Sequence, residues 1–109
     1  LSDRIGVVGS KLLFPNGIVQ EAGGVVFNDG SCANFGRGLA SDDPLVTFVR
    51  DVDYCSGASL ATRRGLFEET GGFDLRYRPA YYEDTDYCMR VRQAGRRVVY
   101  QPASEVVHD

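Results

Sequence analysis

The 109-residue sequence predicts an α/β domain, a mixed sheet with flanking helices. Three observations carry this. Short apolar runs separated by turn signals fill the first half. Two stretches, 63–70 and 84–94, carry apolar residues at helical spacing. A last strand-like run, Arg96–Tyr100, follows the second helix. Composition agrees: 43% hydrophobic and 25% charged is an ordinary folded balance, and the length suits one modest domain, 1–109. A formal net charge of −3 argues against a nucleic-acid partner. The longest apolar runs are a few residues, far short of a membrane span, and no charged-then-apolar leader opens the chain. No strand–glycine-rich loop–helix phosphate site is present, so a complete doubly wound domain is not expected.

Taken in order, Ile5–Val8 closed by Gly9 is a buried strand that continues extended through Lys11–Phe14. Pro15-Asn16-Gly17 is a turn between apolar runs and predicts a hairpin. Lys11 is expected as a solvated strand-end lysine. Ile18–Gln20 and Val25–Phe27 are strands, interrupted at Gly23-Gly24 by a bulge or turn. Residues 28–44, rich in Gly, Ser, Asn and Asp, are a long loop without periodicity, a lid or a solvated excursion. Residues 45–50 fit a short helix or a strand. Asp51–Thr62 alternates without a polar face and predicts one strand buried on both sides. Gly57 in its middle implies close approach of another element or of a ligand. Asp51-Val52-Asp53 has the form of a D-x-D metal motif, but such a triplet arises by chance and is discounted. Arg63–Thr70 is a short helix with Leu66, Phe67 and Thr70 inward and Gly71 past its end. Pro79 keeps 75–80 irregular. A second helix runs from Asp84 to Ala94 and stops at Gly95. Arg96–Tyr100 is a strand that Pro102 ends, and Ser104–His108 is a last extended segment.

Chemistry concentrates at Tyr82-Glu83-Asp84-Thr85-Asp86-Tyr87-Cys88. At about 100° per residue, Asp84 shares the apolar face of its helix with Tyr87, Cys88 and Val91, while Glu83 and Asp86 turn outward. Asp86 and Arg90 form an i,i+4 pair. An inward carboxylate in a first helical turn is held by backbone N–H groups and the helix dipole, and can accept a proton as a general base. The plainer alternative is that Asp84 only stabilises the helix start. Cys32, Cys55 and Cys88 are widely spaced, with no C-x-x-C. Neither zinc nor a disulfide framework is signalled; Cys55 and Cys88 are expected as small buried hydrophobes, and a reduced, cytosolic setting fits.

Further residues occur in an order that resembles a known family. These are Val8-Gly9-Ser10-Lys11-Leu12, Pro15–Gln20, Ala22-Gly23-Gly24, Val52–Ala58, Phe67–Asp74, Tyr82–Arg90 and Gly95–Pro102. Together they resemble the C-terminal, acceptor-side half of a family 2 glycosyltransferase of the GT-A fold, over nearly the whole chain apart from 28–44. The resemblance implies inverting transfer from a nucleotide-diphosphate sugar to a saccharide or related hydroxyl acceptor. It makes Asp84 the base, and Glu83 would contact the acceptor or steady the site. Gly57 would line the sugar site, and Gly72, Phe73 and Asp74 would border it. His108 would help hold a divalent metal, magnesium or manganese, bound mainly with the absent half. It further implies a bacterial polysaccharide-biosynthesis enzyme in the cytoplasm, at the inner membrane face through peripheral association of the longer protein. The family's nucleotide-binding half is expected before Leu1; the piece alone is expected to be inactive and to self-associate.

Two other readings stand beside this one. Arg64, Leu66, Glu68, Glu69 and Gly71 echo the helix of Nudix diphosphate hydrolases. That motif, however, needs Glu at Gly65 and at Ser56, and Gly at Arg50. A transferase-like half could also serve as a non-catalytic glycan- or protein-binding module, for which an inward acid at position 84 has no use.

Overall fold

Strand β1, Ile5–Leu13, is the spine of the molecule. The computed structural model describes residues 4–29, 31–57, 60–62, 64–69 and 83–108, with only the backbone at 64, 69 and 83. After β1 come β2 (Val19–Glu21), β3 (Gly24–Val26), β4 (Cys32–Asn34), a 3₁₀ turn at Pro44–Val46, β5 (Arg50–Asp51), β6 (Leu60–Thr62), α1 (Arg64–Glu69), α2 (Glu83–Gln93) and β7 (Arg97–Val107). The architecture is mixed α/β. β7 runs parallel to β1 along one edge. The other edge of β1 is shared in tandem by two antiparallel strands: β6 against Val7–Gly9 and β2 against Leu12–Leu13. β5 pairs antiparallel with the far edge of β7, and β3–β4 form a separate hairpin.

The β1–β2 turn forms where Pro15-Asn16-Gly17 predicts it. Gly17 takes φ +85°, a left-handed conformation that suits glycine, and Asn16 Oδ1 accepts from the Ile18 N–H. Helix α2 ends in a Schellman motif around Gly95 at φ +83°: the Gly95 N–H donates to Arg92 O and the Arg96 N–H to Val91 O. Tyr87, Cys88 and Val91 of α2 are fully buried. They pack with Leu66 of α1, Val7 of β1, Val98 of β7, and Tyr54 and Cys55. Asp86 and Arg90 face outward as an ion pair at 2.9 Å. A second apolar cluster, Leu13, Val19, Ala22, Val46 and Tyr100, fills the other part of the fold.

Four expectations are corrected. Residues 51–62 are not one strand: among the described residues only Arg50–Asp51 and Leu60–Thr62 are strands of the five-stranded sheet, and Tyr54 makes an isolated bridge to Gly24. Between them, the N–H groups of Cys55, Ser56 and Gly57 donate to side chains, namely Cys88 Sγ, Glu21 Oε2 and Asp84 Oδ2. Backbone donors used in this way are not available to a ladder. Residues 28–44 are not a structureless loop. They hold β4, and beyond it the chain lies back along β2, with Val19 N–H donating to Leu39 O, Gly38 N–H to Val19 O and Ala22 N–H to Phe35 O. Pro102 does not end the last strand. The β1–β7 register jumps from Ser10↔Gln101 to Lys11↔Glu105, so residues 102–104 bulge out and pairing resumes; a proline without N–H is tolerated at such a bulge. Lys11 is not solvated: it is 3% exposed, donates to Ser41 O at 2.6 Å and pairs with Glu105 at 3.4 Å.

Candidate functional site

A cleft of about 310 Å³ opens where the carboxyl ends of β1 and β7 meet the first turn of α2. Ligands of open α/β sheets bind characteristically outside the carboxyl ends of parallel strands. Leu12 comes from β1, Glu21 from β2, His108 from just past β7, and Asn34 and Arg37 from the hairpin side. Ser56 belongs to the irregular segment, and Asp84 and Thr85 to α2.

Asp84 is the second residue of α2 and is half-buried. Its Oδ1 accepts from the Thr85 N–H at 2.7 Å and its Oδ2 from the Gly57 N–H at 2.9 Å. The carboxylate is therefore fixed between its own helix and the 55–57 segment, on the wall of the cleft. The element that approaches Gly57 is thus α2, through Asp84. A Cβ at Gly57 would lie 3.6 Å from Asp84 Cβ, an ordinary contact, so an alanine side chain has room there.

Glu21 is a site residue that motif reasoning passed over. It is 4% exposed, and its Oε2 accepts from the Ser56 N–H at 3.1 Å. With the Asn34 amide nitrogen turned toward it, Glu21 Oε1 accepts at 2.6 Å, and the Asn34 oxygen then accepts from Arg37. Burial pushes the Glu21 carboxyl up from 4.5 to about 7; the Ser56 N–H opposes the rise, the Asp84 charge adds to it and Arg37 lowers it. A signal existed in the alternation of β2: residues 19 and 21 share a face, and Val19 on that face is fully buried.

His108 is exposed at the cleft mouth. Its Nδ1 lies 2.9 Å from Gln20 Oε1, while Gln20 Nε2 donates to His108 O. An Nδ1–H donated to an amide oxygen leaves Nε2 as the ligating nitrogen, the usual arrangement of a metal-bound histidine. One histidine is not a site, and no group of three or more His, Cys, Asp or Glu is placed to hold a metal among the described residues. Asp51 and Asp53 are engaged elsewhere: Asp51 pairs with Arg97 at 2.6 Å, while Asp53 accepts from the Val26 N–H and pairs with Arg92 at 3.4 Å. Cys55 and Cys88 are buried thiols whose pKa burial raises, that of Cys88 to about 11, so they behave as core atoms and not as nucleophiles. Gly72, Phe73 and Asp74 lie outside the described residues, as does the Glu83 side chain.

The cleft therefore joins Asp84 and His108, distant in sequence, and adds Glu21; Gly57 is not among its lining residues and reaches it only through the N–H that holds Asp84. Two oriented carboxyl groups beside amide, guanidinium and imidazole groups make a wall suited to hydroxyl-rich ligands and to accepting a proton.

The chain matches no protein-family model. It is similar to the O-antigen biosynthesis protein RfbC of Myxococcus xanthus, 34% identical over 112 residues that cover 96% of this chain and 8% of RfbC. It is also similar to the N-acetylglucosaminyl-diphospho-decaprenol L-rhamnosyltransferase of Mycobacterium tuberculosis, 46% identical over 59 residues, 54% of this chain and 19% of that protein. A third relative is the rhamnosyltransferase WbbL of Escherichia coli, 40% identical over 57 residues, 52% of this chain and 21% of WbbL. Proteins named glycosyltransferases are thus among its relatives, and the chain spans between 8% and 21% of the length of these three.

Proposed function

We propose that this chain is the acceptor-side part of an inverting glycosyltransferase of family 2 and the GT-A fold, within a longer protein. The observation that carries the reading is Asp84, a carboxylate fixed by two N–H groups on the wall of a cleft at the carboxyl ends of parallel strands. The relatives named rhamnosyltransferases support sugar transfer, and make a rhamnosyl nucleotide diphosphate the first donor to test and a saccharide the first acceptor.

In the proposed step, an acceptor hydroxyl oxygen attacks the anomeric carbon in line. A new C–O bond forms on the face opposite the leaving group. The bond to the diphosphate oxygen breaks, its electron pair leaves with the nucleotide diphosphate, and the hydroxyl proton passes to an Asp84 oxygen. A single displacement inverts the anomeric centre. Asp84 has lone pairs left for that proton, because its two N–H partners fill two of about four acceptor positions. Glu83 is proposed to contact the acceptor or steady the site, Gly57 to line the sugar site, and Gly72, Phe73 and Asp74 to border it.

A magnesium or manganese ion, when bound, would offset the charge of the departing diphosphate. His108 would be this chain's ligand, and the remaining ligands would come from outside the described residues. We place the whole protein in the cytoplasm, peripherally at the inner membrane face, without a nucleic-acid partner. No described helix is long and apolar enough to cross a membrane.

Asp84→Asn in the full-length protein tests the reading. Turnover is expected to fall about 10²–10⁴-fold, the usual contribution of a general base, with acceptor binding retained. Unchanged turnover removes Asp84 from the mechanism.

A further inference from the structure

The cleft wall carries a second carboxyl that the transfer step above leaves unused. Glu21 and Asp84 come from β2 and α2, yet they are tied to consecutive backbone amides: Ser56 N–H to Glu21 Oε2 and Gly57 N–H to Asp84 Oδ2. Both carboxyl groups line the one cleft, and they are near enough for the Asp84 charge to be felt at Glu21.

Their hydrogen-bond accounts are alike. Each carboxyl offers about four acceptor directions. On Asp84, the Thr85 and Gly57 N–H groups fill two. On Glu21, the Ser56 N–H and the Asn34 amide fill two. Each is left with unfilled directions. A purely structural acid in such a place would be a costly choice, because burying a carboxyl is unfavourable unless it gains partners.

We propose that the acceptor is a saccharide with a vicinal diol, whose reacting hydroxyl meets Asp84 while its neighbouring hydroxyl is held by Glu21. This deepens the transferase reading and rests on it. Glu21 is then a specificity-determining residue: it sets which hydroxyl is presented, and it rejects sugars that lack the neighbour. Its carboxyl, raised to about 7 by burial, can both donate to and accept from a hydroxyl near neutrality. A site built to bond a hydroxyl discriminates strongly against the analogue that lacks it, because its own buried group is left unpaired.

The test uses the full-length protein, dTDP-rhamnose, and methyl glycosides of rhamnose and N-acetylglucosamine, each as the parent sugar and as its monodeoxy series. On the sugar turned over, removal of the hydroxyl next to the reacting one is expected to lower kcat/KM at least about 10-fold in the wild type. In Glu21→Ala that penalty is expected to vanish, because the parent sugar falls to the level of its deoxy analogue. Glu21→Gln, which keeps the shape and one acceptor oxygen, should show an intermediate penalty. Equal losses on both sugars in Glu21→Ala, with the deoxy penalty intact, would mean a merely structural Glu21 and would overturn the proposal. If that occurs while Asp84→Asn is inactive, only this inference fails. If Asp84→Asn is fully active, Asp84 is not the base and this inference falls with that assignment. If no sugar of the panel is turned over, the rhamnosyl-transfer reading falls with it.

Discussion

At Glu21 burial and charge meet in one side chain. The strand alternation that buries Val19 buries Glu21 with it, and the carboxyl is raised from 4.5 to about 7, first by burial and then by Asp84, against the Ser56 N–H and Arg37. A carboxyl raised on folding binds more protons in the native state between those two values. Stability from this residue is therefore fully present below about pH 4.5, declines as pH rises to about 7, and is level above it. The difference is at most about 3 kcal/mol. Urea unfolding at pH 4.5 and 7.5 should show the decline in the wild type, and Glu21→Gln should flatten it. An equal slope in both would assign the pH response to other groups. Asp84, in the same cleft, has a different part: its partners are N–H groups from two elements, so its direction depends on how α2 docks on the 55–57 segment.

That docking is a property of elements. α2 lies close on β1 because residue 6 is glycine: a Cβ there would meet Val91 Cγ1 at 2.5 Å, Leu66 Cδ2 at 2.8 Å and Arg96 Cβ at 2.9 Å. At Gly9 and Gly24 a side chain would run into Cys55 Sγ and the Tyr54 ring in the same way. Gly6→Ala should push α2 and α1 outward and cost about 1–3 kcal/mol, as overpacking does. It should also lower turnover by displacing Asp84, although residue 6 is not among the residues lining the cleft. A crystal structure of the variant with α2 unmoved would refute this. Tyr87 adds a polar tie beneath the same helix: its hydroxyl lies 2.8 Å from Thr62 Oγ1, which donates to Gly6 O. The helix, β6 and β1 are thereby joined at one point.

Across the whole molecule, two apolar clusters pack along the strands β1 and β7 whose ends form the cleft. One is gathered under α2 and the other around Tyr100, whose hydroxyl donates to Val46 O at 2.6 Å. Beside the second cluster, the Arg50 guanidinium lies 4.4 Å from the Phe35 ring and 4.8 Å from that of Tyr100. Leu45, Phe48 and Val49, within five residues of each other, are each more than half exposed. We expect apolar surface of this kind to be covered in the longer protein proposed above and to drive association of the 109-residue chain alone. Light scattering over a concentration series should show mass rising above 12.0 kDa. A clean monomer at high concentration would count against it.

Local chemistry alone decided several features. The Pro15–Gly17 turn, the α2 span with its Gly95 stop, the outward Asp86–Arg90 pair and the apolar Tyr87–Cys88–Val91 face follow from turn residues and helical spacing, which act within a few residues. The inward direction of Asp84 was legible for the same reason. Tertiary structure decided what depends on a partner distant in sequence. Residues 28–44 take their order from β2 and β3, and 55–57 leave the ladder because Cys88, Glu21 and Asp84 claim their N–H groups. β7 continues past Pro102 because β1 is there to pair with it. Glu21 became part of the site only when β2 was laid beside the Ser56 amide, since no spacing along one chain shows which backbone donor a buried acid will meet.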